Sequence, residues 1–467
     1  MPPHIATVAY CIAILGLFWL DRDEGYKASK ALWIPVVWML IAGSRMVSEW
    51  LQVAPATTVD QYLEGSPLDR LVLGGLLAAG LIVLVSRGRK VVALLRANGP
   101  ILVFFFYCAV STLWSDFPDV AFKRWIKALG DLVMVLVVLT DMDPSAAVKR
   151  LLDRAGFLLI PFSVLLIKYY PDWGRGYLPW VWTPYYTGVT TNKNLLGMIS
   201  LIFGLGSAWR IFEELRSGNG KRRAGPLIAH GALFAMVLWL FWVANSVTSL
   251  ACFLLAGGLM AVTHLRGLVR KPFFVHLLVA AVLAVSFSAL FLDIGAGLVK
   301  DLGRDETLSG RTALWNRLLD MAGNPLFGTG FESFWLGDRL HKLWNVYWWH
   351  PNEAHNGYLE VFLNLGWTGV ALLGVVMLTG YRNVIAAFRQ DPDGGRVKLT
   401  YFVVAATYNF TEAGFRMMDP VWIFFLMAIA VVPKAPIRED TNIRAQVSSD
   451  QYCVDLPART DIYEEVV

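Results

Sequence analysis

Charge is what this sequence is short of. Only 16% of its 467 residues are Asp, Glu, Lys or Arg, where a soluble globular chain carries about 25%. With 56% hydrophobic residues and a mean hydropathy of +0.51, that scarcity excludes an ordinary water-soluble domain and points to a chain that crosses a membrane many times. Cysteine is scarcer still. Cys11, Cys108 and Cys252 lie inside apolar runs and Cys453 sits near the C-terminus, so no disulfide framework is expected. The first apolar run has no basic segment ahead of it, and Met1–Tyr10 reads as the start of a span rather than a cleaved signal. No repeat of fixed period is present. The formal net charge of +5 comes from Lys and Arg dispersed through short loops, which excludes a nucleic-acid surface. No cluster of His, Cys and carboxylates has metal-ligand spacing, so neither a bound metal nor a cofactor is expected.

What is there is a succession of apolar runs, near residues 5–20, 31–44, 68–86, 99–114, 125–141, 151–168, 195–212, 227–245, 248–263, 273–293, 356–380, 398–414 and 418–433. Most are long enough for a spanning helix of about 17–25 residues. Lys and Arg collect in alternate loops, at Arg22–Lys30, Arg87–Arg96, Lys149–Arg150, Arg216–Arg223, Arg266–Lys271 and Arg382–Lys398. That alternation places this set in the cytoplasm and the loops 45–67, 115–124, 169–194, 294–355 and 412–420 outside. The expected fold is an all-α polytopic membrane protein: a bundle of about 12–13 transmembrane helices with one large extracytoplasmic loop carrying short helices. Residues 1–433 form the integral-membrane unit, with that loop at 294–355. The polar tail 434–467 reads as a flexible cytoplasmic extension.

The polar residues concentrate in one interval. Thr307–Val361 gathers Arg311, Arg317, Asn324, Glu332, Asp338, Glu353, His355 and Asn356 together with Trp315, Trp335, Trp344, Trp348 and Trp349. Charged and aromatic side chains held between spans suit a sugar or a lipid phosphate; a loop that packs only on itself is the plainer alternative. Other outer stretches contribute to the same side: Arg45, Glu49 and Arg70; Arg124 and Lys127; Arg175, Lys193 and Asn194; Asn409, Glu412 and Arg416. Singly, each reads as an anchor that snorkels to the interface. Ionisable groups near membrane depth are costly and usually face a cavity, and it is their convergence on one side that marks a site.

Three motifs carry a family likeness. The order S-G-R-T-x-L-W (Ser309–Trp315), N-P-L-F-G-x-G-x-x-S-F (Asn324–Phe334) and H-N-x-Y-L-E (His355–Glu360) resembles the O-antigen ligase and polysaccharide polymerase family, in the branch associated with exopolysaccharide production. Lys193-Asn194 before a span, LWSDFP (Leu113–Pro118) and SPLDR (Ser66–Arg70) add to it. The resemblance implies a metal-independent, inverting glycosyltransferase of the bacterial inner membrane. Such an enzyme moves a glycan from undecaprenyl pyrophosphate onto a glycan or lipid acceptor at the periplasmic face. Ligase-type transfer is preferred, with polymerase as the near-equal alternative. One departure stands out: Ser246–Ser249 has no Arg where many ligases carry one.

The chemistry suits the residues. Pyrophosphate leaves readily, so the need is for positive charge to hold it and a base for the acceptor hydroxyl. Arg311 fits the first task, since a guanidinium fork binds phosphate oxygens bidentately. Ser309 is the expected N-cap of a helix from Gly310 to about Ala322, on which Arg311, Trp315 and Leu318 share a face. His355 begins a span, where the helix dipole favours neutral imidazole able to accept a proton; activity should then fall as pH drops through the imidazole pKa. Arg311 and His355 are the expected catalytic pair. Lys193, Asn194, Arg124, Lys127, Asn356 and Glu412 are expected to bind substrate. Trp335, Trp344, Trp348 and Trp349 are expected to form a groove for sugar rings. A glycosidase would need two opposed carboxylates, and none stand out. A glycan-lipid transporter is the contrasting class, but its charges belong at the midplane of repeated halves, not in one outer loop.

Overall fold

The computed structural model describes residues 1–22, 28–53, 65–177, 182–216, 224–264, 272–291 and 307–433. The tail expected from residue 434, and the first part of the large loop at 294–306, lie outside the described residues. Each apolar run of the sequence coincides with a helix. The first half comprises α1 (Pro3–Leu20), α2 (Trp33–Ala42), the one-turn α3 (Val47–Trp50), α4 (Pro67–Ser86), α5 (Gly88–Ala97), α6 (Gly99–Ser111), α7 (Pro118–Leu139) and α8 (Pro144–Tyr169). A second one-turn helix, α9 (Pro171–Gly174), leads into the antiparallel pair β1 (Arg175–Tyr177) and β2 (Pro184–Tyr186). The second half comprises α10 (Lys193–Arg216), α11 (Ala224–Ala244), α12 (Val247–Val262), α13 (Pro272–Phe291), α14 (Thr307–Asp320), α15 (Gly337–Val346), α16 (Gly357–Gln390), α17 (Pro392–Tyr408) and α18 (Pro420–Ile429).

The sequence marks where these helices start. Proline opens α1, α4, α7, α8, α17 and α18, a position where its missing N–H has no partner to lose. Ser66, Asp143, Asn356, Asp391 and Asp419 accept hydrogen bonds from first-turn N–H groups, which satisfies donors the helix cannot. Among the described residues five helices, α1, α4, α10, α11 and α16, are each long and apolar enough to cross a membrane, and α5 with α6, bent by 88°, make a sixth if taken as one span. α2, α12, α13 and α18 are apolar but shorter. The protein is an all-α polytopic membrane protein, as expected. Two local expectations give way. The basic loop Arg87–Arg96 is largely the amphipathic helix α5, and α14 begins at Thr307, so Ser309 lies in its first turn rather than at its N-cap.

Side-chain bonds sort into two ends. At one, Arg87 reaches Asp141, Arg150 and Arg210 converge on Asp21, Lys149 pairs with Glu213, and Arg396 donates to the Thr263 carbonyl. At the other, Arg45 donates to Trp173 O (2.7 Å), Ser48 to Asp69, Arg339 to Asp116 (2.6 Å) and Arg124 to Glu332 O. The first set belongs to the loops assigned inside by their basic residues, the second to those assigned outside.

One break positions the outer end. Gly366 in α16 has φ 64° and ψ −168°, a conformation that L side chains avoid. The break frees four backbone groups, and the Asn324–Gly330 turn pairs them all: Thr329 N–H donates to Leu363 O, Gly330 N–H to Asn364 O, Trp367 N–H to Pro325 O and Thr368 N–H to Leu326 O (2.9–3.2 Å). The contact is too close for a side chain, because a Cβ on Gly366 would stand 2.3 Å from Leu326 C. Polar backbone at membrane depth must be satisfied internally, and the N-P-L-F-G-x-G motif does this for the broken helix.

The two-ended arrangement predicts a labelling pattern. Val346 and Met142 are 59% and 77% exposed, at opposite ends. In intact cells of a variant lacking the native cysteines, Val346→Cys should react with an impermeant maleimide and Met142→Cys only after permeabilisation. The reverse pattern would invert the topology. Gly337 is a poor site for this test, since its Cβ would meet Phe117 Cζ at 2.5 Å.

Candidate active site

The outer segment has a core of its own: Leu314, Leu318, Phe334, Trp335, Leu340, Leu343, Ala354 and Leu363 are buried together. That core joins α14 and α15 to the start of α16 and fixes what they present. As expected, Arg311, Trp315 and Leu318 lie on one face of α14. Leu318 is in the core, and Trp315 Nε1 donates to Ala354 O at 2.7 Å, pinning the residue before His355. The adjacent Ala354 N–H donates to the Glu360 carboxylate, which also accepts from Trp335 Nε1 at 3.0 and 2.9 Å. His355 is thereby held at φ 51°, a region costly for a non-glycine residue and found where the surroundings over-determine the backbone.

Arg311 Nη1 donates to Thr411 O at 2.7 Å, and its Nη2 lies 3.2 Å from Glu412 Oε1. Asn194 Nδ2 donates to the same oxygen at 3.2 Å. The other oxygen of Glu412 faces His355 Nδ1 at 3.2 Å, and Glu353 Oε1 meets that nitrogen at 3.1 Å. Glu353 in turn accepts from Arg416 Nη1 at 2.8 Å. Six side chains from four separate stretches form one network. It borders a cavity of about 330 Å3 whose wall includes Asn194, Lys127, Glu353, Glu412, Arg416 and Glu49, a size typical of ligand sites.

The network decides the state of His355. Burial lowers its pKa, but the hydrogen bonds and charges of Glu353 and Glu412 outweigh burial and raise it to about 10. The expected neutral imidazole is corrected here. A helix dipole contributes about 0.3–1 kcal/mol, up to about 2 in partly buried geometry, whereas a hydrogen bond to a charged group contributes about 1.5–3 kcal/mol, and two carboxylates face this ring. The two carboxylates favour the protonated ring of His355. Burial opposes the ionisation of Glu353 as well, yet His355 and Arg416 hold its carboxyl below the ordinary range.

The sequence has no metal-ligand spacing, yet two clusters of such groups form in space among the described residues. Glu353, His355 and Glu412 bring ligand atoms within 4.8 Å of one another, as do Asp21, Asp153 and His230 at the opposite end. Sequence spacing hid both. In the first cluster, however, each carboxylate already faces a guanidinium, Arg416 or Arg311, and the charge a cation would supply is there.

Of the other residues expected to bind substrate, Asn194 and Lys127 line the cavity, while Arg124 Nη1 donates to Glu332 O and Lys193 stands exposed at the start of α10. Asn356 caps α16: its Oδ1 accepts from Tyr358 and Leu359 N–H and its Nδ2 donates to Phe410 O. Both ends of the amide are engaged, the nitrogen through one of its two N–H groups, and these bonds fix the residue that follows His355. The four-tryptophan groove does not form. Trp335 is 7% exposed within the core, and Trp344 stacks on His350 at 4.6 Å. Trp348 and Trp349 are 63% and 40% exposed, and the Trp349 ring lies 6.0 Å from that of His355. The sequence reading gave no role to Arg416 or Glu353; the pairing of Glu353 with a residue 63 positions away leaves no local signal, although Glu353 stands two residues before His355.

Comparison with known proteins adds two findings. The family model described as O-antigen ligase matches residues 231–374, which include Arg311, the Asn324–Gly330 turn, His355 and Gly366; Asn194, Glu412 and Arg416 lie beyond it. The chain is also similar to the exopolysaccharide production protein ExoQ of Rhizobium meliloti (strain 1021), at 26% identity over 292 residues, covering 60% of this chain and 64% of that protein. The matched stretch thus falls just short of two thirds of the relative's length. Both findings bear out the resemblance noted in the motifs.

The tryptophans give a direct check on this arrangement. Trp335→Ala should cost about 3–5 kcal/mol by opening the core and reduce membrane yield. Trp348→Ala and Trp349→Ala should leave yield and melting temperature unchanged. Equal losses of yield in all three would show that the exposed pair packs as the core does.

Proposed function

We propose that this chain, a member of the O-antigen ligase and polysaccharide polymerase family, transfers a glycan from an undecaprenyl-pyrophosphate donor to a glycan or lipid acceptor at the periplasmic face of the bacterial inner membrane. The observation that carries this reading is the network around Glu412, set on a cavity wall. Arg311, Arg416 and His355 are three cations held by two carboxylates, Glu353 and Glu412, and Arg416 and Lys127 stand on the cavity wall. Preorganised cations aimed at a leaving pyrophosphate stabilise charge that develops as the bond breaks. Arg311 and Arg416 offer their remaining N–H donors to phosphate oxygens, and His355 contributes a third charge. Inversion at the anomeric carbon needs no covalent enzyme intermediate, and the network holds no metal in this scheme. Residues 1–433 make the transferase unit.

Polymerisation of a lipid-linked repeat is the second reading, favoured by the likeness to a protein named for exopolysaccharide production. Transfer to lipid A core and transfer to a growing glycan differ in the acceptor, and the same cation network serves both.

Three outcomes test the scheme, using purified protein in lipid with a defined undecaprenyl-linked donor. Arg311→Ala should lower the rate about a hundredfold, the loss of one preorganised donor being on the order of 3 kcal/mol, and Arg311→Lys should recover part of it. Donor affinity should not fall between pH 8 and pH 6. The raised pKa of His355 means its cationic form is fully present below the ordinary imidazole value of about 6.5, persists through neutrality, and is lost as pH rises through about 10; affinity should weaken there. A chelator should leave the rate unchanged. Wild-type activity in Arg311→Ala, or loss on chelation, would contradict the scheme.

A further inference from the structure

His355 Nδ1 is taken up by the Glu353 and Glu412 carboxylates at 3.1 and 3.2 Å, so another group on the cavity wall is needed to take the proton of the acceptor hydroxyl. Four carboxylates line it: Glu49, Glu353, Glu412 and Asp419. Three are engaged. Glu353 faces Arg416 and His355, Glu412 faces Arg311, Asn194 and His355, and Asp419 caps α18 by accepting from Val421 N–H at 2.7 Å. Glu49 differs. It stands exposed on α3, its Oε2 accepts from Met46 N–H of its own turn at 3.2 Å, and among the described residues no cation lies within salt-bridge distance of it. α3 is firmly placed: Ser48 donates to the Asp69 carboxylate from both N–H (2.8 Å) and hydroxyl (2.6 Å), and Trp50 stacks against Trp173 at 5.5 Å.

We propose that Glu49 is the general base of the transfer, a role that rests on the glycan-transfer reading above. The acceptor hydroxyl oxygen bonds to the anomeric carbon as the bond from that carbon to the pyrophosphate oxygen breaks. The electron pair leaves with undecaprenyl pyrophosphate, held by Arg311, Arg416 and His355, and the hydroxyl proton passes to the Glu49 carboxylate and from there to water. Although Glu49 is exposed as a residue, partial desolvation raises its carboxyl above its ordinary value; Met46 N–H and Arg45 oppose the shift, and Asp69 adds to it. A base of raised pKa takes a proton more readily, provided it remains ionised at working pH. The other charged groups facing it are Lys127 on α7 and, across the cavity, Glu353, Glu412, Arg416 and Asp419.

The test uses the full chain in lipid with the undecaprenyl-linked donor and two nucleophiles, a hydroxyl acceptor and azide, which needs no deprotonation. Glu49→Gln should lower transfer to the hydroxyl by about 10²–10⁴-fold, the usual contribution of a general base, with the donor KM unchanged. It should still form glycosyl azide within about threefold of the wild-type rate. Glu49→Asp should retain an intermediate hydroxyl rate and the acidic limb of the pH profile that Glu49→Gln loses. Equal loss toward both nucleophiles, or undiminished hydroxyl transfer in Glu49→Gln, overturns the assignment. Arg311→Ala should lose both reactions, and a wild-type chain that transfers to neither nucleophile would sink the glycan-transfer reading itself rather than the role of Glu49.

Discussion

The carboxylate of Glu412 is the junction on which the outer face depends. One oxygen takes Arg311 from α14 and Asn194 from α10, and the other takes His355 from the start of α16. Buried to 4% exposure, it would be prohibitive alone, since an unpaired charge out of water neutralises or finds partners. Three partners arrive from chain positions that share nothing else. The same requirement makes the imidazole a cation. A histidine between two carboxylates satisfies both by keeping its proton, and under the proposed scheme the ring adds to the charge that holds the leaving group.

That junction is precise only because α16 is broken. An unbroken helix would carry Gly357 to Gln390 as one rod and leave the Asn324–Gly330 turn without these backbone partners. The break at Gly366 exposes backbone groups that the Asn324–Gly330 turn pairs, and Asn364 Oδ1 accepts from Ser333 and Phe334 N–H. The turn therefore docks the outer core onto the first half of α16, and the core in turn sets Trp315 against Ala354 and His355 into its left-handed conformation. Backbone satisfaction at membrane depth and side-chain geometry at the site are solved by one contact.

Sequence showed much of this and hid a definable part. Hydropathy located the helices because apolar runs of spanning length have no other solution in lipid. The helical spacing of Arg311, Trp315 and Leu318 was legible because it is local. The place of His355 at the start of a span was legible, but the carboxylate that faces it was not: Glu412 lies 57 residues away, and nothing near His355 announces it. Trp335 and Trp348 look alike in a chain of 19 tryptophans. Only the structure shows that the indole N–H of one is consumed by buried Glu360 while the other stands in the open. Glu49 was visible as one of many outer charges; what distinguishes it is the engagement of the other three cavity carboxylates, a property of the assembled wall.

The account turns on the charge of His355, and nitrogen-15 NMR of the chain labelled at histidine, in lipid, reads it directly, with His355→Gln assigning the signal. Both ring nitrogens of His355 should be protonated at pH 7.5 and the ring should lose its proton only near pH 10. A neutral ring at pH 7.5, with one nitrogen free, would contradict the network as described and return to His355 the role of base.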